Sequence, residues 1–431
     1  MTKADKNTLA ILGGAPVIDF SLEEARRWPV VEEDIIQAVV ELLRKGELSI
    51  SAETKMFEDE FAHFTNTRYA LATNNGTSAL HSSFFALGIT TGDEVICPSY
   101  TYWASIMPAL ALGAIPVFAD VDDVTAGISA EHIARLITRR TKAILVVHLW
   151  GIPADMPAIL KIANKHGIPV IEDASHSHGA SINGQPTGSF GKIAAFSLQS
   201  SKPLPSGEGG ILVTNDPDLY ERCVFLGHYE RIASLREGLK NYSPTPVGFK
   251  YRISPVSACI ARHKLARLDA TNEHIRQNGN QIETHLEKTG LFRRLTGIPG
   301  SKRVYYELQM EYVGEKKTGV SVAVMAKALE AEGLPVRLTR YPLLHKQLMF
   351  TQPLKLWGEK GRKLYPVEKY GPFKDEDFPV SMRFQNTMLS VPVLPHADKE
   401  FVDRVLAAAD KVVGALDVLK GISLEAVSAK K

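Results

Sequence analysis

The sequence predicts an α/β fold: a large domain with a mostly parallel sheet layered between helices, then a smaller α+β domain at the C-terminus. Three observations carry this expectation. Short apolar runs recur at 69–73, 94–97, 116–119, 143–147, 168–171, 194–197 and 211–213. Helical patterns lie between most of them, at 78–87, 103–112, 130–138 and 157–166, and apolar strands alternating with helices bury both faces of a parallel sheet. The chain also has 431 residues, more than one ordinary core holds.

In chain order, residues 1–30 read as an arm, because Gly13, Gly14 and Pro16 interrupt regular structure. The stretch 32–44 repeats Ile35, Ile36, Val39, Val40 and Leu43 at helical spacing, and Gly46 ends it. A second amphipathic helix over 55–64 gathers Phe57, Phe61 and Phe64 on one face, where aromatics read as core. The strand–helix alternation follows, within a large domain bounded at 31–270. Residues 230–247 are polar and irregular, and 254–287 reads as a long helix or helix pair leading to the smaller domain, 271–431. That domain holds an apolar alternating run at 304–313 and helices at 321–332 and 399–416. Between them, 340–386 is rich in proline, aromatics and charge with little periodicity; a loop this long in a compact domain is usually functional or disordered. The tail after 419 reads as frayed.

Composition narrows the function classes. Apolar residues make up 45% and charged residues 23%, an ordinary globular balance, and a net charge of +2 gives no reason to expect nucleic acid as a partner. Residues 1–11 are too polar for a signal peptide. The longest apolar run, 106–119, is broken by Pro108, Gly113 and Pro116 and is too short to span a bilayer. Cys97, Cys223 and Cys259 are odd in number and far apart, which suits inert thiols in a reducing cytoplasm.

Chemistry concentrates between 171 and 210. Asp173 follows the apolar run 168–171 and Lys202 follows 193–196, so each lies at a strand's exit, where parallel sheets place their ligands. A carboxylate and an amine so placed meet the needs of a pyridoxal phosphate site: the amine takes the aldehyde, and the acid keeps the ring nitrogen protonated. Asn74, Asn75, Gly76, Thr77 and Ser78 form a glycine turn opening a helix, whose free N–H groups suit a phosphate. Alone, such a string is more often a turn with its N-cap; it gains weight beside Lys202 and Asp173. Tyr100, Tyr102 and Trp103 follow another strand, where an aromatic could stack on a pyridine ring, although any one of them alone reads as core. His148, His176 and His178 with Asp173 raise a metal-hydrolase alternative, but their spacing fits no strong zinc pattern, and the site is read as metal-free. His176 better suits a hydrogen bond near the cofactor's phenolic oxygen.

Several strings in one order then make a family resemblance: F-E-D-E-F-A (57–62), N-G-T-S-A-L (75–80), P-S-Y-T-Y-W-A-S (98–105), V-H-L-W-G-I-P-A-D-M (147–156), E-D-A-S-H-S-H-G-A (172–180), F-S-L-Q-S-S-K (196–202), G-E-G-G (207–210), G-F-K-Y-R-I-S (248–254) and Y-P-L-L-H-K-Q (341–347). The chain resembles the DegT/StrS-type sugar aminotransferases, a branch of the aspartate-aminotransferase fold. The resemblance implies a three-layer PLP-transferase large domain of fold type I. Lys202 would be the Schiff-base lysine and Asp173 the partner of the ring nitrogen. Tyr102 would stack on the ring, and Gly76, Thr77 and Ser197 would hold the phosphate. His176 stands where the family often has glutamine. His345, with Tyr341, would face the substrate from the smaller domain. Lys250 occupies the asparagine position of a G-x-N-x-R segment that reaches the partner subunit's cofactor, so the resemblance implies a homodimer with shared active sites. A further departure is G-E-L-S-I-S at 46–51, where the family often has G-W-L-T-x-G.

His176, Lys250, the H-L-W-G string and the opening L-A-I-L-G-G-A-P are similar to a subgroup acting on cyclitol ketones such as scyllo-inosose. The implied activity is amino transfer from glutamate or glutamine to a keto sugar or keto-cyclitol. Alternatives are a nucleotide-linked keto-sugar aminotransferase, a PLP-dependent sugar dehydratase, and a PLP-holding sensor without turnover. The dehydratases replace the lysine with histidine, so Lys202 favours transamination.

Overall fold

The computed structural model describes residues 8–20, 27–334, 336–338, 341–352, 365–391 and 395–422. Parts of the expected arm (1–7 and 21–26), of the 340–386 stretch and of the tail lie outside the described residues.

Two helices lead in. α1 spans Glu33–Arg44 and buries Ile35 and Leu42, whereas Ile36 and Leu43 of its expected apolar face are exposed. α2 spans Ala52–Phe64 behind the N-cap Ser51, whose Oγ accepts the Glu53 N–H, and Phe57 and Phe61 enter the core as expected.

The large sheet is built from β1 (Tyr69–Thr73), β2 (Glu94–Pro98), β3 (Ile115–Ala119), β4 (Thr141–Val147), β5 (Val170–Asp173), β6 (Ile193–Ser197) and β7 (Gly210–Thr214). Their order is β1-β7-β6-β5-β4-β2-β3. β7 runs antiparallel to both neighbours, and the other pairings are parallel, so the sheet is mostly parallel. Alternation along the strands fills both faces. Leu71, Val95, Leu145, Ile171 and Leu212 pack on one side with α3 (Gly76–Ala86), α4 (Met107–Ala111) and α7 (Pro217–Gly227). Ile144, Val146, Val170, Phe196 and Val213 turn to the other side, toward α2, α6 (Met156–His166) and α8 (Pro255–Leu265). α5 (Ala130–Leu136) lies on that side too.

A second, antiparallel sheet orders β8 (Phe292–Arg294), β9 (Leu308–Tyr312), β11 (Met388–Val391) and β10 (Arg337–Leu338). Its core takes α9 (Leu268–Lys288), α10 (Val322–Ala331) and α12 (Lys399–Val413), and also Leu9 and Ile18 from the arm. The buried Glu332 carboxylate ties the arm down, accepting the N–H groups of Ala10 (2.8 Å) and Val17 (3.1 Å) and the Lys411 ammonium (3.0 Å).

Three expectations need correcting, and one open choice, at 254–287, is resolved. The helix read over 103–112 is a 3₁₀ turn, Trp103–Ser105, followed by the short α4, because Pro108 suits a helix's first turn and not its interior. The stretch 254–287 is a pair, α8 and α9. Strand β5 runs on through Asp173, beyond the apolar run that marked it. Only 308–312 of the run 304–313 is strand; residues before it leave the sheet and bond the large domain's turn, with Val304 N–H donating to Gly151 O (3.1 Å) and Tyr306 N–H to Trp150 O (3.3 Å). Gly151 must be glycine there: its φ is +90° and an added Cβ would lie 2.3 Å from Val304 O.

The 340–386 stretch is no free loop where it is described. Leu344, Phe350, Tyr365 and Phe378 join the same core as Val95 and Phe118 of the large sheet. α11 (Pro379–Thr387) then starts on Asp120, whose Oδ1 accepts the Ser381 N–H (2.8 Å) and whose Oδ2 accepts the Val380 N–H (2.9 Å).

Candidate active site

A cleft of about 1010 Å³ opens at the carboxyl ends of β1, β5 and β6. Each wall can be traced to a strand exit.

β1 turns at Asn74–Asn75 into α3. Asn75 Oδ1 caps the helix by accepting the Ser78 N–H (2.8 Å), which brings Gly76 and Thr77 to the cleft as first-turn residues. Neighbouring backbone crowds this corner. A Cβ on Gly76 would lie 2.8 Å from Ser197 Cβ, and one on Gly210 would lie 2.4 Å from the Asn75 carbonyl carbon. Ser197, at the end of β6, completes the corner. First-turn amides, an exposed threonine hydroxyl and a serine suit a phosphate.

β5 delivers Asp173, only 5% exposed. Ser105 Oγ donates to its Oδ2 (2.6 Å), and the Ser175 N–H donates to Oδ1 (3.1 Å). Because Ser105 spends its proton on Asp173, the 3.1 Å contact between Ser105 and Thr101 has Thr101 Oγ1 as donor. Donors alone meet this carboxylate, which suits an anion facing a protonated ring nitrogen.

Lys202 rides the loop joining β6 to β7. The loop is closed by Leu198 N–H to Gly209 O (2.9 Å), Ser200 N–H to Gly207 O (2.9 Å) and Lys202 N–H to Gln199 O (2.8 Å). Gly207 sits at φ +85°, a conformation glycine adopts without strain. From the arm, the Trp28 indole N–H donates to Lys202 O (3.1 Å). Lys202 Nζ lies 4.3 Å from the centre of the Tyr306 ring.

His176 is buried and accepts the Trp150 N–H at Nδ1 (3.3 Å), so its hydrogen sits on Nε2 in the neutral form. Its ring stacks on Tyr306 with centroids 4.0 Å apart and planes 17° apart. Tyr102 is 44% exposed at the mouth of the cleft, and Tyr341 lines the opposite side of that aromatic group, 6.1 Å from Tyr102. Gly76, Thr77, Tyr102, Asp173, His176, Ser197, Lys202 and Tyr341 are thus brought to one cleft.

Two expected residues are not. His345 does not face the cleft: it is 1% exposed, bonded to Ser99 Oγ through Nδ1 (2.5 Å) and stacked on Phe378 at 3.9 Å. It also packs on the large sheet's core, not from a separate smaller body, because Leu344 N–H donates to Ser99 O (2.9 Å) and anchors the segment there. Lys250 is exposed outside the cleft, its Nζ 6.0 Å from the Tyr229 ring.

Of the histidines weighed as metal ligands, His148 and His176 have other partners, and His178 is enclosed by the core. His148 accepts the Ala154 N–H at Nδ1 (3.1 Å) and donates from Nε2 to Glu172 (2.9 Å). Burial, reinforced by the nearby Lys202 charge, pushes His178 down to about 3, so it is neutral.

Ser105, Tyr306 and Trp28 were missed by sequence reasoning. Ser105 stood inside a recognised string, P-S-Y-T-Y-W-A-S, and only its distance from the carboxylate marks it. Tyr306 looked like part of a strand.

Comparison with known proteins identifies the family. The profile of the DegT/DnrJ/EryC1/StrS aminotransferase family matches residues 29–410. The spore coat polysaccharide biosynthesis protein SpsC of Bacillus subtilis is 31% identical over 405 residues, covering 90% of this chain and 97% of the relative. The L-glutamine:scyllo-inosose aminotransferase of Streptomyces griseus is 31% identical over 397 residues, covering 89% and 92%. Among solved structures, the aminotransferase from Psychrobacter cryohalolentis superposes with a TM-score of 0.80 at 28% identity, covering 90% of this chain and 99% of that one. The chain belongs to the DegT/DnrJ/EryC1/StrS aminotransferase family and is a pyridoxal-phosphate-dependent transaminase.

Proposed function

We propose that this enzyme moves an amino group from glutamate or glutamine to the ketone of a keto-cyclitol or keto sugar. The observation that carries the chemistry is the convergence of a donor-ringed Asp173 carboxylate, the Lys202 amine and a glycine-lined helix start on one cleft. For the acceptor, support comes from the likeness to the L-glutamine:scyllo-inosose aminotransferase over most of both chains.

Gly76, Thr77 and Ser197 would hold the phosphate, Asp173 the ring nitrogen and His176 the phenolic oxygen, while Tyr102 would cover the ring. When bound, the cofactor supplies an electron sink that lets the amino group leave one molecule and join another. Lys202 Nζ would take up the proton lost from the donor's α-carbon and, with the acceptor bound, deliver a proton to the carbon that had been its ketone. Ser105 keeps Asp173 aimed, through the 2.6 Å bond to its Oδ2.

The active unit is a homodimer in the cytoplasm. Among the described residues lining the cleft, Lys202 is the only lysine or arginine; donor carboxylate and cofactor phosphate together call for more positive charge. Lys250 of a second copy would supply it. Leu43, Ile50, Tyr242, Val247 and Phe249 are exposed apolar side chains that such a copy would cover. Three buried free cysteines suit a reducing compartment. No described helix is long and apolar enough to cross a membrane.

The test is a half-reaction. Glutamate or glutamine added to the loaded enzyme should bleach the visible band of the lysine-bound cofactor, and a keto-cyclitol should restore it. Free and nucleotide-linked keto sugars run alongside. A band that no donor bleaches would sink the assignment, and restoration by nucleotide-linked sugars alone would move the acceptor to that class.

A further inference from the structure

The smaller sheet sends one side chain into the cleft that no role above uses. Tyr306 leaves the chain just before β9, is 9% exposed, and meets two functional groups at once. His176 lies parallel to its ring at 4.0 Å, and Lys202 Nζ lies 4.3 Å from the ring centre. Its hydroxyl is 3.3 Å from Ser201 Oγ, beside the lysine.

The backbone fixes this ring from behind. Tyr306 N–H donates to Trp150 O (3.3 Å), while Trp150 N–H donates to His176 Nδ1 (3.3 Å). Trp150 itself is held at φ 56°, a left-handed conformation uncommon outside glycine. One residue therefore sets the tautomer of His176 through its own N–H and seats Tyr306 against the same imidazole through its carbonyl. Val304, bonded to Gly151 across a gap that excludes any Cβ, keeps the strand end in place.

We infer that Tyr306 is a positioning residue of the transaminase: its ring face fixes the plane of His176 and gathers the Lys202 amine, so both enter the cleft pre-placed for the cofactor. The physical basis is twofold. Parallel aromatic contact restricts the imidazole's rotation about its last bond. A ring's negative face attracts an ammonium and limits the sweep of a lysine's four-carbon stem. The inference rests on Lys202 and His176 serving the cofactor, as proposed above.

Three variants of the loaded enzyme test it: Tyr306→Phe, Tyr306→Leu and His176→Ala, with the double variant Tyr306→Leu/His176→Ala. The readouts are cofactor affinity and the visible circular dichroism of the bound cofactor, which reports how tightly its orientation is fixed. Tyr306→Leu should weaken cofactor binding about tenfold and flatten the visible ellipticity while the absorbance band persists. Tyr306→Phe keeps the ring face and should restore most of the ellipticity. In the His176→Ala background, the leucine change should cost distinctly less than in the parent, since part of its effect passes through the imidazole.

Wild-type ellipticity and affinity in Tyr306→Leu would overturn the inference. So would a loss in Tyr306→Phe as large as in Tyr306→Leu, which would assign the effect to the hydroxyl and Ser201. Full additivity of the double variant would remove the route through His176. If the leucine variant does not fold, Tyr306→Met supplies bulk without a ring and is read in the same way. Failure of the underlying cofactor reading looks different: Lys202→Ala would then leave the visible band intact, whatever Tyr306 does.

Discussion

His345 gives the sharpest check on the geometry, because burial there has a measurable pH signature. Its Nδ1 faces Ser99 Oγ at 2.5 Å, and its own backbone N–H donates to the same oxygen (3.4 Å). The Ser99 hydroxyl, which both donates and accepts, meets a neutral imidazole at Nδ1 in either tautomer. Burial, including the face of Phe378 at 3.9 Å, pulls the histidine down from 6.5 to about 4, against the weaker pull of the Asp375 carboxylate. The sign follows. A histidine harder to protonate when folded contributes stability that is complete above pH 6.5 and is lost as pH falls toward about 4. The gap between 6.5 and about 4, at about 1.4 kcal/mol per pH unit, makes this loss about 3 kcal/mol. Urea unfolding of cofactor-free wild type and His345→Gln at steps from pH 7.5 to about 4 measures it. The glutamine variant pays a fixed cost for the lost stack at every pH. Its deficit relative to wild type should shrink by about 3 kcal/mol across the window. Slopes due to His178 and His228, which burial holds near 3, are common to both proteins and cancel. Parallel curves would show that His345 titrates as an exposed residue does and that the described packing of 341–350 is wrong.

Other outcomes follow from the same structure. Ser105→Ala removes the 2.6 Å donor to Asp173; a charge-assisted bond of about 1.5–3 kcal/mol should lower kcat/KM roughly ten- to hundredfold in steady-state assays, with little change in melting temperature. Gly76→Ala forces a Cβ to 2.8 Å from Ser197 Cβ between two fixed backbone elements; cofactor affinity, measured by fluorescence titration of the stripped enzyme, should fall about tenfold or more while the helix stays formed. Arg231→Ala strands the Glu58 carboxylate, 2% exposed and bonded to Arg231 at 2.9 Å; calorimetry should show a loss of about 3–5 kcal/mol. That loss should ease as pH falls toward 4.5, because burial already holds the Glu58 carboxyl above the ordinary carboxylate range.

What was legible in the sequence had a period or a glycine behind it. The seven strands of the large sheet announced themselves as apolar runs because both faces are buried, and the residues following each run marked the cleft. Asp173, Lys202, Gly76 and Ser197 all stand at such exits. Legibility ended where position depends on contacts between distant segments. Apolar residues alternate with polar ones from Tyr306 to Tyr312, yet Tyr306 and Val304 bond Trp150 and Gly151, far away in sequence, and not a neighbouring strand. Pattern cannot tell these partners apart, so Tyr306 was lost. His345 failed for the opposite reason: the resemblance pointed it at substrate, while Phe378 and Ser99 enclose it. No local signal in Y-P-L-L-H-K-Q tells an enclosed imidazole from an open one.

The seating of Leu344 and Phe350 among the large sheet's own hydrophobics bears on how this enzyme can change its tastes. One flank of the cleft, formed by Leu344, Met349 and Phe350, is rooted in that interior, so it cannot swing aside without wetting aromatic surface. Its contour is therefore cast when the chain folds and is not remoulded by each visitor. New acceptors would be won by trimming or enlarging individual side chains along that flank, and each such swap would register in thermal stability as well as in selectivity.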